Sequence, residues 1–331
     1  MMLITNQETK INIKYLENLS FTKDEVKEVM EGLTSIPKSL PPKYFYDALG
    51  SELFEKICNL PEYYPTRTET AILTNASKEI VEITGICELV ELGSGSSTKT
   101  RLLLSAYDSL GKPWQYIPID VSGEILKNSA LQLHQQYNNL SILGLVGTYE
   151  QALWQLPPSC LPQRMIIFLG STLGNFTYEQ SDDLFNEVRD ILTVGDYFLL
   201  GIDLQKPADI LENAYNDSQG VTAAFNLNML SHLNRCFDGN FDINLFKHQA
   251  IYNQEKTQIE MYLYAQKSHN VRLNKLDLDV SFQENEPILT EISRKFNLTQ
   301  MQDFLASHKL KSVKYWTDEN KYFALILTQL I

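Results

Sequence analysis

Two glycines and a distant aspartate are the residues whose types and spacing most directly suggest chemistry. Gly93 and Gly95 follow a predicted buried strand, 88–92, and a second predicted strand, the apolar segment 115–119, ends at Asp120. Glycine lets a backbone approach a bound ligand closely, because it has no side chain to intervene. An ionised carboxylate only accepts hydrogen bonds, so Asp120 suits the two hydroxyl groups of a ribose. The segment predicts a site for an adenosine-bearing cofactor.

The residues after the second glycine separate two classes of cofactor. A dinucleotide-binding turn carries a third glycine that seats a pyrophosphate, whereas this chain has Thr98 followed by Lys99. The turn therefore fits a ligand without pyrophosphate, such as S-adenosylmethionine (SAM). The two-glycine spacing alone also fits an ordinary strand-to-helix turn, and Asp120 at the next strand end is what favours a cofactor.

Alternating helical and extended patterns between residues 66 and 204 place this turn inside an α/β fold. Helix-period segments separate apolar runs that are typical of buried parallel strands, and Thr177 with Gln180 predicts a capping box. The predicted strands lie at 88–92, 115–119, 140–146, 165–169 and 197–204. A terminal hairpin over 313–327 should complete the sheet with an antiparallel strand. The pattern predicts a Rossmann-like class I methyltransferase core with a mostly parallel sheet.

The segment 207–293 departs from this alternation. It contains a helical pattern over 220–237 and alternating strands at 259–265 and 276–282. So long a segment cannot be a loop in a compact protein, so the sequence predicts a second, α+β domain inserted between strands of the sheet.

Composition and charge exclude several classes of partner. The 331-residue chain has a net charge of −13, which repels nucleic-acid phosphates. Its four cysteines and five histidines show no metal-ligand spacing, so we expect no metal and a reduced, cytoplasmic protein. Residues 1–10 have no signal-peptide core, and no apolar run has the length of a membrane span. We expect a monomer that acts on a small molecule.

Four blocks of the chain resemble the histidine Nα-methyltransferase family of ergothioneine biosynthesis. They are FYDALGSELF at 45–54, LPEYYPTR at 60–67, FLGSTLGN at 168–175 and LTEIS at 289–293. The resemblance extends from about residue 40 to the end. It implies that SAM trimethylates the α-amine of L-histidine to give hercynine, the first step of the pathway. It also implies a SAM-binding core, 68–205 with 296–331, and a discontinuous substrate-binding domain, 10–67 with 206–295.

The same resemblance implies roles for individual residues. Tyr46 and Asn175 would position the reacting amine and so act in catalysis. The cofactor-binding residues would be Gly93, Lys99, Asp120, Thr148 and Tyr149. The substrate-binding residues would be Tyr63, Asn175, Tyr215, Phe225, Met261, Glu291 and Ser293.

Glu291 and Ser293 also form a plausible site on chemical grounds. Two residues apart on an extended segment, they face the same way, so both ring nitrogens of an imidazole could be engaged together. The alternative, which the sequence leaves open without the resemblance, is the outward face of a strand.

The chain departs from the family at the predicted adenine position. Relatives carry an acidic residue before an aromatic one, whereas this chain has Thr148 before Tyr149. The threonine hydroxyl or the backbone carbonyl would then have to accept the hydrogen bond from the adenine amino group.

Three other functions remain open from the sequence. The same fold could form the betaine of another amino acid or amine. The chain could also be a catalytically inactive SAM-binding protein, which the departure at Thr148 weakly favours. A nicotinamide oxidoreductase is a weaker option.

Overall fold

The computed structural model describes residues 10–16 and 23–331. Most of the segment 1–10, for which we expect no signal peptide, lies outside the described residues, as do residues 17–22 of the predicted substrate-binding part. The described strands are Ile11–Tyr15 (β1), Lys38–Ser39 (β2), Glu88–Leu92 (β3), Trp114–Asp120 (β4), Leu140–Val146 (β5), Arg164–Phe168 (β6), Tyr197–Asp203 (β7), Phe246–Asn253 (β8), Gln258–Ala265 (β9), His269–Leu273 (β10), Leu278–Phe282 (β11), Pro287–Arg294 (β12), Leu310–Thr317 (β13) and Phe323–Leu330 (β14). The described α-helices are Lys23–Thr34 (α1), Ala48–Cys58 (α2), Tyr64–Thr84 (α3), Arg101–Asp108 (α4), Gly123–Gln136 (α5), Tyr149–Leu153 (α6), Tyr178–Ile191 (α7), Ala208–Tyr215 (α8), Val221–Phe237 (α9) and Leu298–Ser307 (α10).

A large sheet in the order β1-β5-β4-β3-β6-β7-β14-β13 forms the centre of the fold. Its strands are parallel except for β14, which pairs antiparallel with both β7 and β13. Every residue of β3, β6 and β7 is buried, as expected for parallel strands covered on both faces. The predicted α/β fold with an antiparallel carboxy-terminal strand is confirmed, and so is the capping box of Thr177 and Gln180 that opens α7.

Strand β1 differs from the expectation that residues 10–67 belong with the substrate-binding part. It pairs in parallel with β5, with Ile11 opposite Ile142, and so lies in the large sheet. Its alternating pattern gives no continuous apolar run, and pairing with it covers what would otherwise be an open edge of β5.

A second group of elements has a hydrophobic core of its own. Strands β2, β12, β9 and β8 form a four-stranded sheet, and β10 pairs with β11. The predicted strand 276–282 begins at Leu278, because residues 274–276 form a 3-10 turn. Phe45, from the amino-terminal part, stacks on Phe225 of α9 with ring centroids 4.5 Å apart. Residues distant in sequence therefore share this core.

The carboxyl end of β7 joins the two groups of elements. Phe296, just after β12, donates its N–H to the carbonyl of Asp203 at 2.9 Å, and Gln205 donates to the carbonyl of Phe296 at 3.0 Å. These bonds hold the end of β12 against the same sheet edge at which β3, β4 and β6 end. Among the described helices, none combines the length and apolarity that crossing a membrane would require.

Candidate cofactor and substrate site

The glycine-rich turn after β3 is tied to the neighbouring strand. The N–H groups of Gly93 and Ser94 both donate to the carbonyl of Ile119, at 2.9 and 3.0 Å. Gly93 has φ +70°, and a Cβ atom there would lie 3.0 Å from the phenol oxygen of Tyr149. A side chain at Gly93 would therefore need both a strained backbone and a displaced tyrosine.

Asp120 braces this turn and faces the space above it. Its two carboxylate oxygens accept the N–H groups of Gly95 and Ser122, both at 2.8 Å. A Cβ atom at Gly95 would meet no atom within 4 Å, so the turn is open there. Burial raises the pKa of Asp120, while the backbone N–H donors oppose the shift. Each oxygen keeps a lone pair for a ligand hydroxyl.

The hydroxyl of Ser94 gives a further reason to place a ligand at this turn. It is buried and has no hydrogen-bond partner among the described residues. Buried polar groups are nearly always paired, so an orphan beside an open turn suits a polar ligand. The turn, Asp120 and Ser94 together fit the adenosine and amino-acid groups of SAM. The glycine pattern drew attention to this segment but did not single out Ser94.

An aromatic wall stands beside the turn. The ring of Tyr149 lies 5.5 Å from Phe168 and 6.3 Å from Phe176, with the second pair stacked. Thr148 caps α6: its hydroxyl accepts the N–H of Gln151 and its carbonyl accepts that of Ala152. Tyr149 therefore lies beside the glycine turn, as the prediction requires, and each Thr148 oxygen already accepts one capping hydrogen bond and keeps one lone pair.

Lys99 is held by a buried carboxylate that the sequence did not reveal. Glu69 of α3 forms an ion pair with Lys99 and accepts the N–H of Gly170 at 2.8 Å. Burial disfavours the charged ammonium, but Glu69 outweighs burial and raises the pKa of Lys99. A Cβ atom at Gly201 would lie 2.3 Å from Glu69, so this glycine of β7 makes room for the carboxylate. Glu69 lies three residues before Ile72, on the buried side of α3, and this position is the feature of the sequence that could have pointed to it.

We expect Glu69→Gln to destabilise the protein, because Lys99 would lose the carboxylate with which it forms an ion pair. Removing one partner of a buried pair costs roughly 3 kcal/mol in free energy of unfolding, which urea titration would measure. Glu79→Gln is the control, since Glu79 pairs with Lys314 at the surface and its loss should change little. A Glu69→Gln protein as stable as the Glu79 variant would contradict this account.

The substrate half of the site is built on β12. The register of β12 against β9 shifts between Leu289 and Glu291, where a bulge lets the Thr290 hydroxyl donate to the carbonyl of Met261 at 3.1 Å. After this bulge Glu291 and Ser293 face inward together. Burial raises the pKa of Glu291 to about 7, against an opposing effect of Lys295. No described residue hydrogen-bonds its carboxylate.

Tyr215 and Asn175 lie beside Ser293. The hydroxyl groups of Tyr215 and Ser293 are 2.9 Å apart. Asn175 ends a 3-10 turn, Thr172–Asn175, whose Gly174 is packed so tightly against β12 that a Cβ atom would lie 2.9 Å from the carbonyl oxygen of Arg294. The loop after β6 is thereby held next to the end of β12.

Aromatic rings line the remaining wall. Tyr46 lies 5.8 Å from Phe225, and Tyr63 lies 6.0 Å from Tyr215 and 6.4 Å from Phe54. Met261, the register partner of Glu291 on β9, is buried beneath them. The sequence did not point to Phe54, which looks like an ordinary core residue of α2.

Tyr46 connects the two halves of the site. Burial raises the pKa of its phenol, and the next largest contribution comes from the charge of Glu291, with smaller ones from Tyr149 and Asp120. The phenol of Tyr46 therefore interacts electrostatically with residues of both the predicted substrate site and the predicted cofactor site. The predicted cofactor residues follow strands β3, β4 and β5 of the large sheet, the predicted substrate residues lie mainly on β12, β9 and nearby helices, and their individual roles stay predictions. Among the described residues no group of His, Cys, Asp and Glu side chains could hold a metal ion.

Comparisons with known proteins find relatives that match most of the chain. A family model described as "histidine-specific methyltransferase, SAM-dependent" matches residues 25–330. Histidine N-alpha-methyltransferase of Mycolicibacterium smegmatis is 43% identical over 301 residues, covering 91% of this chain and 93% of that one. L-tryptophan methyltransferase of Psilocybe serbica is 28% identical, with 90% of each chain covered.

Among solved structures, a glycopeptide N-methyltransferase complexed with S-adenosyl-L-homocysteine matches with a TM-score of 0.40 and 12% identity, covering 78% of this chain and 87% of that one. The assignment of the chain to a family rests on the length and identity of the sequence matches. The chain belongs to the family of histidine-specific, SAM-dependent methyltransferases.

Proposed function

We propose that this protein transfers methyl groups from SAM to the α-amine of L-histidine and forms hercynine, the first step of ergothioneine biosynthesis. The observation that carries the proposal is the pair of Glu291 and Ser293. Glu291 is a nearly buried carboxylate without an internal hydrogen-bond partner among the described residues, and it shares a strand face with the Ser293 hydroxyl. An acceptor and a hydroxyl in this arrangement match the two nitrogens of an imidazole ring.

Catalysis in this proposal depends on orienting a neutral amine. SAM, when bound, supplies an electrophilic methyl group on its sulfonium. Tyr46 and Asn175 position the amine lone pair. The proton that each of the first two methylations leaves on the nitrogen passes to solvent before the next transfer, so that the reaction needs no strong base. The Tyr46 phenol, whose pKa lies above its ordinary value of 10, is protonated at neutral pH. The faces of Tyr46 and Tyr63 would stabilise the ammonium as methyl groups accumulate, by about 0.5–2 kcal/mol each.

The test is an incubation of the purified protein with SAM and all twenty amino acids, followed by mass spectrometry. We expect hercynine as the only trimethylated product. SAM binding without any methylated amine would instead favour an inactive cofactor-binding protein.

A different amino acid is the second candidate acceptor. The relative named L-tryptophan methyltransferase favours it, because its name assigns another amino acid to a protein that matches 90% of this chain. The same incubation separates the two, since a betaine other than hercynine would move the specificity without changing the reaction.

We expect kcat/KM for histidine to rise with pH through about 7, because Glu291 must ionise to accept a strong hydrogen bond from an imidazole N–H. Burial sets this pKa at about 7, from an ordinary value of 4.5. Initial rates at low histidine would show the rise. Glu291→Gln is the control, because it keeps the substrate's own titration and should lose this one ionisation. Identical profiles for the two proteins would contradict the assignment.

We expect the raised pKa of Glu291 to lower the stability of the folded protein as the pH rises, over the same range in which kcat/KM increases. The folded protein binds more protons at Glu291 than the unfolded chain does between pH 4.5 and about 7. The stability that the Glu291 carboxyl group contributes is therefore fully present below pH 4.5 and is lost as the pH rises through 7. The free energy of unfolding should fall less over this range in Glu291→Gln than in the wild type.

We infer further that the protein acts in the cytoplasm as a monomer, with a small amino acid as its partner and no nucleic acid. The net charge of −13 supports the exclusion of nucleic acid. Size-exclusion chromatography with light scattering would test the monomer.

A further inference from the structure

Lys295, directly after β12, is a buried ammonium that touches two of the predicted substrate-binding residues. Its side chain is 0% exposed. Its Nζ lies 2.8 Å from the Ser293 hydroxyl, 3.1 Å from the Tyr215 hydroxyl and 2.9 Å from an Asp203 carboxylate oxygen. An ammonium has three N–H donors, so these three acceptors use all of them.

Asp203 keeps this ammonium charged. It accepts the Tyr64 hydroxyl at 2.7 Å and also forms an ion pair with Lys206. Burial disfavours the Lys295 charge, but the attraction of Asp203 is larger in sum and raises the pKa of Lys295. The Lys295 ammonium therefore donates hydrogen bonds and accepts none.

This constraint fixes the hydrogen bonding of the two hydroxyl groups. Both oxygens accept from Lys295, and they lie 2.9 Å from each other, so one hydroxyl donates to the other. One hydrogen is then used between them and one remains. Whichever hydroxyl keeps it, the pair presents a single O–H donor to the site, next to the Glu291 acceptor.

We propose that Lys295 is a positioning residue that makes Ser293 and Tyr215 present one hydrogen-bond donor, so that the site selects a neutral imidazole in one orientation. Glu291 then accepts a hydrogen bond from the ring N–H, and the remaining hydroxyl donates one to the unprotonated ring nitrogen. A ring without an accepting nitrogen leaves that donor unpaired, and a doubly protonated ring meets it with a second donor. The inference rests on the proposed histidine substrate and adds a residue that acts through its neighbours.

The first test compares histidine with β-(2-thienyl)alanine, whose five-membered ring has no nitrogen. We expect Lys295→Met to raise KM for histidine about tenfold with little change in kcat, and to reduce the preference for histidine over the analogue by a similar factor. SAM affinity should not change. Equal losses for both substrates would overturn the inference, because a general structural defect does not distinguish the rings.

A double-mutant cycle tests whether Lys295 acts through Ser293. In a Ser293→Ala background, Lys295→Met should raise KM for histidine much less than it does in the wild type. Fully additive effects would overturn the proposal. Lys295→Met leaves Asp203 with Lys206 as a cationic partner. If Lys295→Met does not fold, Lys295→Gln replaces it, because a glutamine amide removes the charge and can also accept a hydrogen bond from either hydroxyl.

A measurement on the wild type needs no variant. Histidine labelled with ¹⁵N in the ring, bound in the presence of S-adenosylhomocysteine, should show one protonated and one hydrogen-bond-accepting nitrogen. Two protonated nitrogens would overturn the inference. A wild type that does not prefer histidine to the thienyl analogue would overturn the proposed function as well, whereas a histidine-selective wild type with an equally selective Lys295→Met protein would overturn this inference alone.

Discussion

Replacing Glu291 with alanine should lower kcat/KM for histidine roughly 10- to 100-fold, because a hydrogen bond to a charged group contributes about 1.5–3 kcal/mol. The loss should fall mainly on KM, since Glu291 recognises the ring and does not contact the reacting amine in the proposed mechanism. SAM affinity should stay near the wild-type value, because the cofactor residues lie on other strands. Initial rates of S-adenosylhomocysteine formation and calorimetric titration with SAM would measure both quantities.

Glu260 provides a matched control for this substitution. It is also a buried carboxylate of the small sheet, but it lies on β9 opposite Ile292, and Gln258 and Tyr262 hydrogen-bond it within its own strand. Glu260→Gln should therefore leave histidine recognition intact. Full histidine turnover by Glu291→Ala would remove the imidazole contact and favour another amino acid as the substrate.

The central sheet could be predicted because its strands are marked by their own residues. The predicted strands 88–92 and 140–146 match β3 and β5 residue for residue, because Leu, Val and Ile make up most of both, as is typical of buried parallel strands. Strand β1 carries no such mark, because its residues alternate and only the free edge of β5 gives it a partner. The bulge in β12 depends likewise on its pairing with β9, and no residue of β12 alone marks it.

The site likewise contains residues that the local sequence marks and residues that it does not. Gly93 and Asp120 could be found because each follows a strand that the sequence marks. Glu69 and Asp203 were not singled out, because what distinguishes them is the cation that each one meets, and Lys99 and Lys295 come from distant parts of the chain. The sequence shows which residues are charged, whereas burial of opposite charges together is decided only when the sheet assembles.

Asp120→Ala should weaken SAM binding roughly 100-fold or more, since two hydrogen bonds from ribose hydroxyls to a carboxylate would be lost together. The carboxylate also holds Gly95 and Ser122 in place through their N–H groups, so the turn would loosen as well. Calorimetric titration with S-adenosylhomocysteine would give the affinity directly. Asp108→Asn is the control: Asp108 precedes the same strand at its opposite end, 3.5 Å from the Trp114 indole nitrogen, and should not affect the cofactor.

The two contributions of Asp120 can be separated by measuring stability without ligand. If the carboxylate acts mainly as a brace, thermal unfolding of the ligand-free Asp120→Ala protein should begin earlier than that of the wild type. If it acts mainly on the ribose, the ligand-free proteins should unfold alike while the stabilisation that S-adenosylhomocysteine gives the wild type disappears. We expect both effects, with the second larger, because the Gly93 and Ser94 N–H groups still tie the turn to Ile119 after Asp120 is removed. Unchanged cofactor affinity in Asp120→Ala would place the ribose elsewhere and would leave Asp120 with a structural role only.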